Sequence, residues 1–456
     1  MKLKQLALTQ FRGFEQVTFD FHPGMNLLVG INGVGKSTVL DALRILLSQV
    51  LPKFTASKSK PIAFTTSDIK INRGAFTAEL QFDAVDISFE YLVHQPREEY
   101  GEQTIQKDEE EQLPHYLDRR KRIKQRRLQQ ETYNSAERYD LTPNEKSISK
   151  QVKTAKVQPL GVYFSTRRSL SSMAAPSKQI SAGGQAAAFA EALSERELRL
   201  REFADWLLVQ EALVKEGREL AQQHLNVLEY AVTTFLNKCT RLRAVREPET
   251  TLVIDKEGVA LDVRQLSDGE RGILALVLDL AKRLSQANPE SEDPLRDGKA
   301  IVLIDELDLH LHPVWQRTIV DQLIKTFPKC QFIVTTHSPQ IVGEVKPPGL
   351  TLIAKEDNGI VVLQKGLQGF GLASNWILEQ LMGTASRNAT TQAQINLVEH
   401  ALEEGDLELA RNMLEQLKAM IQGYDDEVIR LEASINNLEA LADDVDLEDE
   451  MDSEEE

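Results

Sequence analysis

Gly30-Ile31-Asn32-Gly33-Val34-Gly35-Lys36-Ser37, followed by Thr38, decides how the rest of the chain is read. An apolar run at 27–29 stands before it. After it, Val39, Leu40, Leu43, Leu46, Leu47 and Val50 fall on one helical face. A strand, a glycine turn and a helix in that order form a phosphate cradle: the glycines let backbone amides turn toward an anion, and the helix amino terminus adds positive potential. In such a P-loop Lys36 reaches the β- and γ-phosphates and the Ser37 hydroxyl holds Mg²⁺, while Gly30, Asn32, Gly33, Gly35 and Thr38 complete the lining. The expected ligands are a nucleoside triphosphate and Mg²⁺, and the expected fold class is α/β.

Working outward, 300–308 reads Ala-Ile-Val-Leu-Ile-Asp305-Glu306-Leu-Asp308. Adjacent acids at the end of an apolar strand are costly without partners. Asp305 can reach the metal through water, and Glu306 can accept a proton from the attacking water. An amphipathic helix at 313–327 and a second apolar strand at 331–335 then predict a βαβ unit of a parallel sheet, with His337 just past the second strand. His310 and His312 lack a third ligand partner in the sequence, so no zinc site is expected.

Gln265-Leu266-Ser267-Asp268-Gly269-Glu270 opens a further helix and offers a second phosphate grip: a hydroxyl, a glycine amide and a helix amino terminus. This hexapeptide resembles the signature of ATP-binding-cassette (ABC) ATPases, in the Glu-containing form typical of the SMC, RecF and OLD branch. P-loop, signature, acid pair and histidine stand in that family's order. The resemblance implies an ABC-type head with a mixed or parallel sheet, ATP as the nucleotide, and head-to-head dimers. In these, Ser267 and Gly269 of one copy close over the γ-phosphate held by the other. It further implies that His337 contacts the γ-phosphate, that Asp308 belongs to the D-loop at the dimer interface, and that Arg12 of Phe11-Arg12-Gly13-Phe14 lies beside the nucleotide. The family's Q-loop glutamine has two candidates here, Gln81 and Gln158.

The chain has 456 residues, a net charge of −17 and two cysteines. That length predicts more than one structural unit, and the acidity disfavours nucleic acid unless basic groups gather on one face. Such a group exists at 119–127 (Arg119, Arg120, Lys121, Arg122, Lys124, Arg126 and Arg127), a candidate contact to a phosphate backbone. Cys239 and Cys330 lie in apolar segments and read as buried thiols. No stretch approaches the ~20 apolar residues of a membrane span, and the amino terminus lacks a secretory pattern; a cytoplasmic protein is expected.

The expected organisation is a first half of the head at 1–96, an insertion with a charged segment, a flexible loop and long helices at 97–238, and a second half of the head at 239–385. A helical partner or oligomer region follows at 386–440, with Leu407, Met413, Leu417, Ile429, Leu431, Ile435 and Leu438 at spacings that suit packing on another helix. Ten of the residues 441–456 are Asp or Glu, and the segment reads as an unfolded tail.

The span between Ser37 and Ser267 is too short for SMC coiled arms, and no carboxyl-terminal nuclease of the OLD kind is visible. Gly371-Leu-Ala-Ser-Asn-Trp-Ile-Leu-Glu-Gln-Leu-Met-Gly-Thr384 resembles the region after the core in ATPase subunits of Septu defence systems, also found beside retrons. In those systems a separate HNH nuclease subunit cuts. The resemblance implies a regulatory ATPase in anti-phage defence that forms homo-oligomers and partners with such a nuclease. The alternative reading is a RecF-like DNA-repair ATPase acting directly on DNA.

Overall fold

The computed structural model describes residues 1–84, 87–97, 137–138, 143–155, 157–168, 170–171, 184–195, 198–246, 250–355, 361–365, 367–421 and 423–454. The basic group at 119–127 lies outside the described residues. The chain divides into two compact units, Met1–Ile377 and Leu378–Glu456.

In the first unit the strands are β1 (Lys2–Thr9), β2 (Gln16–Asp20), β3 (Met25–Val29), β4 (Ala75–Ala84), β5 (Ile87–Pro96), β6 (Leu160–Phe164), β7 (Cys239–Val245), β8 (Thr251–Lys256), β9 (Val259–Asp262), β10 (Ala300–Ile304), β11 (Gln331–Thr335), β12 (Leu350–Lys355) and β13 (Val361–Lys365). Two-residue strands are left unlabelled. The main sheet has the order β13-β12-β3-β11-β10-β6. Its pairs are parallel except β12 with β13. β3, β6, β10 and β11 are buried at every position, which is why they read as unbroken apolar runs rather than alternating ones.

A second, antiparallel sheet carries β2-β1-β4-β5. Helix α1 (Lys36–Phe54) packs against both sheets. Leu43, Leu47 and Phe54 join one core with Leu6 and Phe82 of the antiparallel sheet and Ile301 and Ile333 of the parallel one. Phe54 meets Phe82 and Phe89 edge to face at 5.5 and 5.0 Å. The P-loop helix is therefore held from two sides.

The helical stretch after 189 is a pair, α2 (Leu200–Lys215) and α3 (Glu219–Phe235), separated by Gly217 at φ 77°. These helices belong to the same compact unit as both halves of the head. The strands β8 and β9 form a hairpin, turning at Glu257 and Gly258 with φ of 51° and 84°. Helix α4 (Asp268–Ala287) begins at the signature. The segment expected as one helix at 313–327 is two, α5 (Pro313–Gln316) and α6 (Ile319–Thr326), with a break at Arg317 and Thr318. Cys239 and Cys330 are free and buried, and burial pushes the Cys330 thiol up to about 12.

The second unit contains α7 (Ala389–Glu403), α8 (Leu407–Met420) and α9 (Asp426–Glu454). Gly405 at φ 74° ends α7, and Asp406 caps α8 through the Leu409 amide at 2.9 Å. Of the residues expected on a partner face, Leu417, Leu431 and Ile435 instead form this unit's own core, and Met413 packs against it. Ile429 and Leu438 remain exposed, at 53% and 41%. The acidic segment expected to be unfolded continues α9 as far as Glu454. It contains neither Gly nor Pro, and extending an existing helix costs far less than starting one. Among the described residues, no helix is long and apolar enough to cross a membrane.

Candidate functional site: strand ends around a P-loop

Four parallel strands lying side by side, β3, β11, β10 and β6, deliver their carboxyl ends to one edge of the sheet. The P-loop follows β3. Gly35 adopts φ 107°, and a β-carbon there would lie 2.5 Å from the Phe14 ring, so conformation and space both demand glycine. The residue before α1 is this glycine, with no side-chain cap and no acid in the first turn. The first amides of the helix, those of Lys36, Ser37 and Thr38, thus face outward without a protein cap, the arrangement that binds phosphate. Gly30 is buried; Asn32 and Gly33 are exposed at the loop's tip.

The Lys36 ammonium donates to the carbonyl oxygens of Gly30 at 2.7 Å and Ile31 at 3.0 Å. Burial lowers its pKa, against the opposing pull of Asp305, Glu306 and Asp308. The Ser37 hydroxyl donates to Asp305 Oδ1 at 3.1 Å, which joins the P-loop to the end of β10. Hydroxyl and carboxylate are the hard oxygen donors that Mg²⁺ prefers, and a nucleotide's phosphates and water supply the other ligands of such a site. Ser37 and Asp305 therefore fit this metal. Among the described residues no group of three or more His, Cys, Asp or Glu side chains could hold a metal ion by itself.

Glu306 is half-buried and sits at φ 50°. This left-handed conformation is unfavourable for a residue with a β-carbon, by about 1–2 kcal/mol. Its amide donates to Thr335 Oγ1 at 2.8 Å, and the same hydroxyl donates to Asp305 Oδ1 at 2.6 Å. Asp308 accepts from the His337 amide at 3.1 Å and from the Thr336 hydroxyl at 2.5 Å. His337 is thereby fixed beside the acids, at the end of β11. Lys36, Ser37, Asp305, Glu306, Asp308 and His337 thus form one connected constellation.

Arg12 stands apart from it. Its guanidinium is bound to Asp68 Oδ1 and Asp41 Oδ2, each at 2.9 Å, and Asp41 lies on α1. Arg12 braces the P-loop helix from the side. Ser267 and Gly269 stand at the start of α4, where the Ser267 side chain bonds within its own helix turn. The Ser267 hydroxyl donates to Glu270 Oε2 at 2.9 Å, Glu270 returns its amide at 3.4 Å, and Lys256 Nζ donates to Glu270 at 2.6 Å. Burial alone would push the Glu270 carboxyl up, yet these donors hold it below its ordinary range. A β-carbon on Gly269 would lie 2.4 Å from the His310 carbonyl oxygen, so the signature seats directly on the loop that follows the acids.

Three features escaped the sequence reading. Thr335 bridges the two acids. Arg168, four residues beyond β6, donates both terminal nitrogens to the carbonyl oxygens of Asp305 and Glu306. Burial lowers its guanidinium to about 10, against the charges of Asp308, Asp305 and Glu306. Neither Q-loop candidate belongs to the site: Gln81 donates to Glu79, while Gln158 is buried and bonded to Ala56 and Lys153. The strand end next to β10 carries Ser165-Thr166-Arg167-Arg168 instead of a glutamine. The adjacency of β6 to the acid strand was the missing signal.

Residues 25–343 match the family described as AAA domain, putative AbiEii toxin, type IV TA system. The chain belongs to this family. It is an ATPase of the ABC type, with relatives among retron and Septu ATPases. This AAA-domain ATPase is 28% identical to the retron Ec83 probable ATPase of Escherichia coli over 428 residues, covering 85% of this chain and 77% of that one. It is 22% identical to the Septu protein PtuA of Bacillus thuringiensis over 390 residues, covering 84% of each. Among solved structures it matches the SMC head domain from Thermotoga maritima at a TM-score of 0.41 and 16% identity, over 81% of this chain and 100% of that one.

Proposed function

We propose that this ATPase is a nucleotide-driven switch: ATP brings two heads face to face, hydrolysis releases them, and the output is passed to a separate nuclease in anti-phage defence. The observation that carries the reading is the division of site residues within one chain. The P-loop, the acids and His337 are joined by hydrogen bonds, whereas Ser267 and Gly269 sit on α4 with partners of their own. A second copy supplies the missing grip.

In this reading the amides at the start of α1 and the Lys36 ammonium hold the β- and γ-phosphates. Ser37 and Asp305 hold Mg²⁺, which neutralises charge on the phosphates. Glu306 orients the attacking water and takes its proton, and His337 contacts the γ-phosphate. Ser267 and Gly269 of the partner copy close over the same group. Asp308 lies at the interface between heads, and Arg12, through Asp41, sets the position of α1. Retron and Septu relatives support the defence context. The exposed Ile429 and Leu438 of the carboxyl-terminal unit offer apolar contact to a partner. The compartment is the cytoplasm.

Glu306→Gln tests the mechanism, since it should hold the ATP-bound dimer that wild type releases. Light scattering with MgATP should give twice the monomer mass for the variant and a mixture for wild type. Equal masses for the two proteins would refute the switch. Co-purification of an HNH nuclease encoded alongside tests the output; strong ATP-dependent DNA binding by the purified chain alone would favour a repair role instead.

A further inference from the structure

β6 ends at Phe164 and the chain turns, the Arg168 amide donating to the Ser165 carbonyl at 3.2 Å. The turn carries the Arg168 side chain across the end of β10, where its terminal nitrogens bind two successive carbonyl oxygens, those of Asp305 and Glu306. These peptides need holding, because Glu306 sits in the left-handed region. Thr335 takes the Glu306 amide, and the Leu309 amide donates to the Glu306 carbonyl at 3.0 Å. Arg168 is the charged member of that set. The Arg168 backbone runs beside the signature helix: a β-carbon on Gly272, in the second turn of α4, would lie 4.0 Å from the Arg168 carbonyl oxygen.

We propose that Arg168 is a positioning residue for ATP hydrolysis: it holds the Glu306 peptide in its left-handed conformation, so that the carboxylate faces the attacking water. The proposal rests on the reading of Glu306 as the general base. The geometry calls for a guanidinium, which presents two donors in a fixed plane to two neighbouring oxygens. A lysine ammonium is a point charge on a flexible stem and cannot hold both at once. A general electrostatic role would act differently. Arg168 lies among Asp305, Glu306 and Asp308, and removing its charge for that reason alone would change nucleotide affinity as well as rate.

The test uses full-length R168K, R168Q and E306Q, with kcat and KM for MgATP, the Kd of a fluorescent ATP analogue, and Tm. Both Arg168 variants should lose about tenfold or more in kcat, the scale of one charged hydrogen bond, with Kd within about threefold of wild type. Tm should fall by only a few degrees and stay well above the assay temperature. Guanidinium chloride in the tens of millimolar should restore part of the R168Q rate, where sodium chloride at equal ionic strength does not. R168K added to E306Q should cost nothing further. Wild-type kcat in both Arg168 variants would overturn the proposal, as would a rise in Kd matching the fall in rate, or a fall in Tm that accounts for the loss. Hydrolysis by E306Q at the wild-type rate would instead overturn the general-base reading, and that result is obtained independently of Arg168.

Discussion

The hydroxyl of Thr335 donates to Asp305 Oδ1 at 2.6 Å and accepts the amide of Glu306 at 2.8 Å, so one oxygen atom fixes both acids of the site. Thr335 is fully buried and water cannot replace it without rearrangement. Thr335→Val keeps the shape, removes both bonds and leaves a buried amide unpaired, at a cost of about 1–3 kcal/mol. Urea unfolding should register that loss, and kcat should fall by about tenfold. Thr335→Ser should recover most of both.

Gly269→Ala separates the signature from nucleotide binding. The new methyl would lie 2.4 Å from a backbone oxygen that cannot swing aside, that of His310, itself at φ 61°. The start of α4 must therefore shift. MgATP binding to the single chain should stay within about threefold of wild type, while ATP-dependent association and turnover fall by about tenfold or more. Unchanged association by light scattering would show that this helix start is not part of the dimer contact.

Lys36→Ala should abolish the thermal stabilisation given by MgATP. A ligand at a hundred times its Kd contributes about 2.7 kcal/mol to a protein that binds it only when folded. Differential scanning fluorimetry should show that shift in wild type, a smaller one with ATP and EDTA, and none in the variant.

His224, on α3, is buried with its Nδ1 2.8 Å from Gln210 Oε1, and among the described residues its Nε2 has no hydrogen-bond partner. Burial, and then the charge of Lys282, lower its pKa from 6.5 to about 4. The unfolded chain takes up a proton below pH 6.5 and the folded chain does not until about pH 4. Stability is thus lost as pH falls through that window, at up to about 1.4 kcal/mol per pH unit. Between pH 6.5 and 5 the wild type should lose about 1.5 kcal/mol more than His224→Phe, measured by urea unfolding at each pH.

Legibility followed the strength of local constraints. The P-loop and the acid strand were readable because each obliges particular residue types to stand at fixed spacing. Arg168 was not, since an arginine after a strand looks the same whether it points to water or spans a neighbouring strand's end; only the pairing of β6 with β10 distinguishes the two. Thr335 was hidden for the same reason: its work is a contact across β11 and β10. The partner face read at 407–438 failed in part because helical periodicity marks an apolar stripe but not its occupant, and Leu417, Leu431 and Ile435 found theirs within their own unit. The helix at 313–327 was overextended, because its pattern continues through the break at Arg317 and Thr318.

Neighbouring strands are spaced by about 4.8 Å, so the row formed by β6, β10, β11 and β3 spans about 15 Å. In the proposed site Lys36 and Ser37, Arg168, Asp305 and Glu306, and His337 are issued from the tips of these four rods, while Ser267 and Gly269 come from the start of α4. The sheet works like a comb whose teeth are cut to one length. Changing what a single tip carries alters the chemistry locally, while sliding any one rod by a residue would misplace its whole share. A change in a loop such as 165–168 therefore costs only what that loop carries, here the grip of Arg168, whereas a shift in register displaces everything its strand delivers.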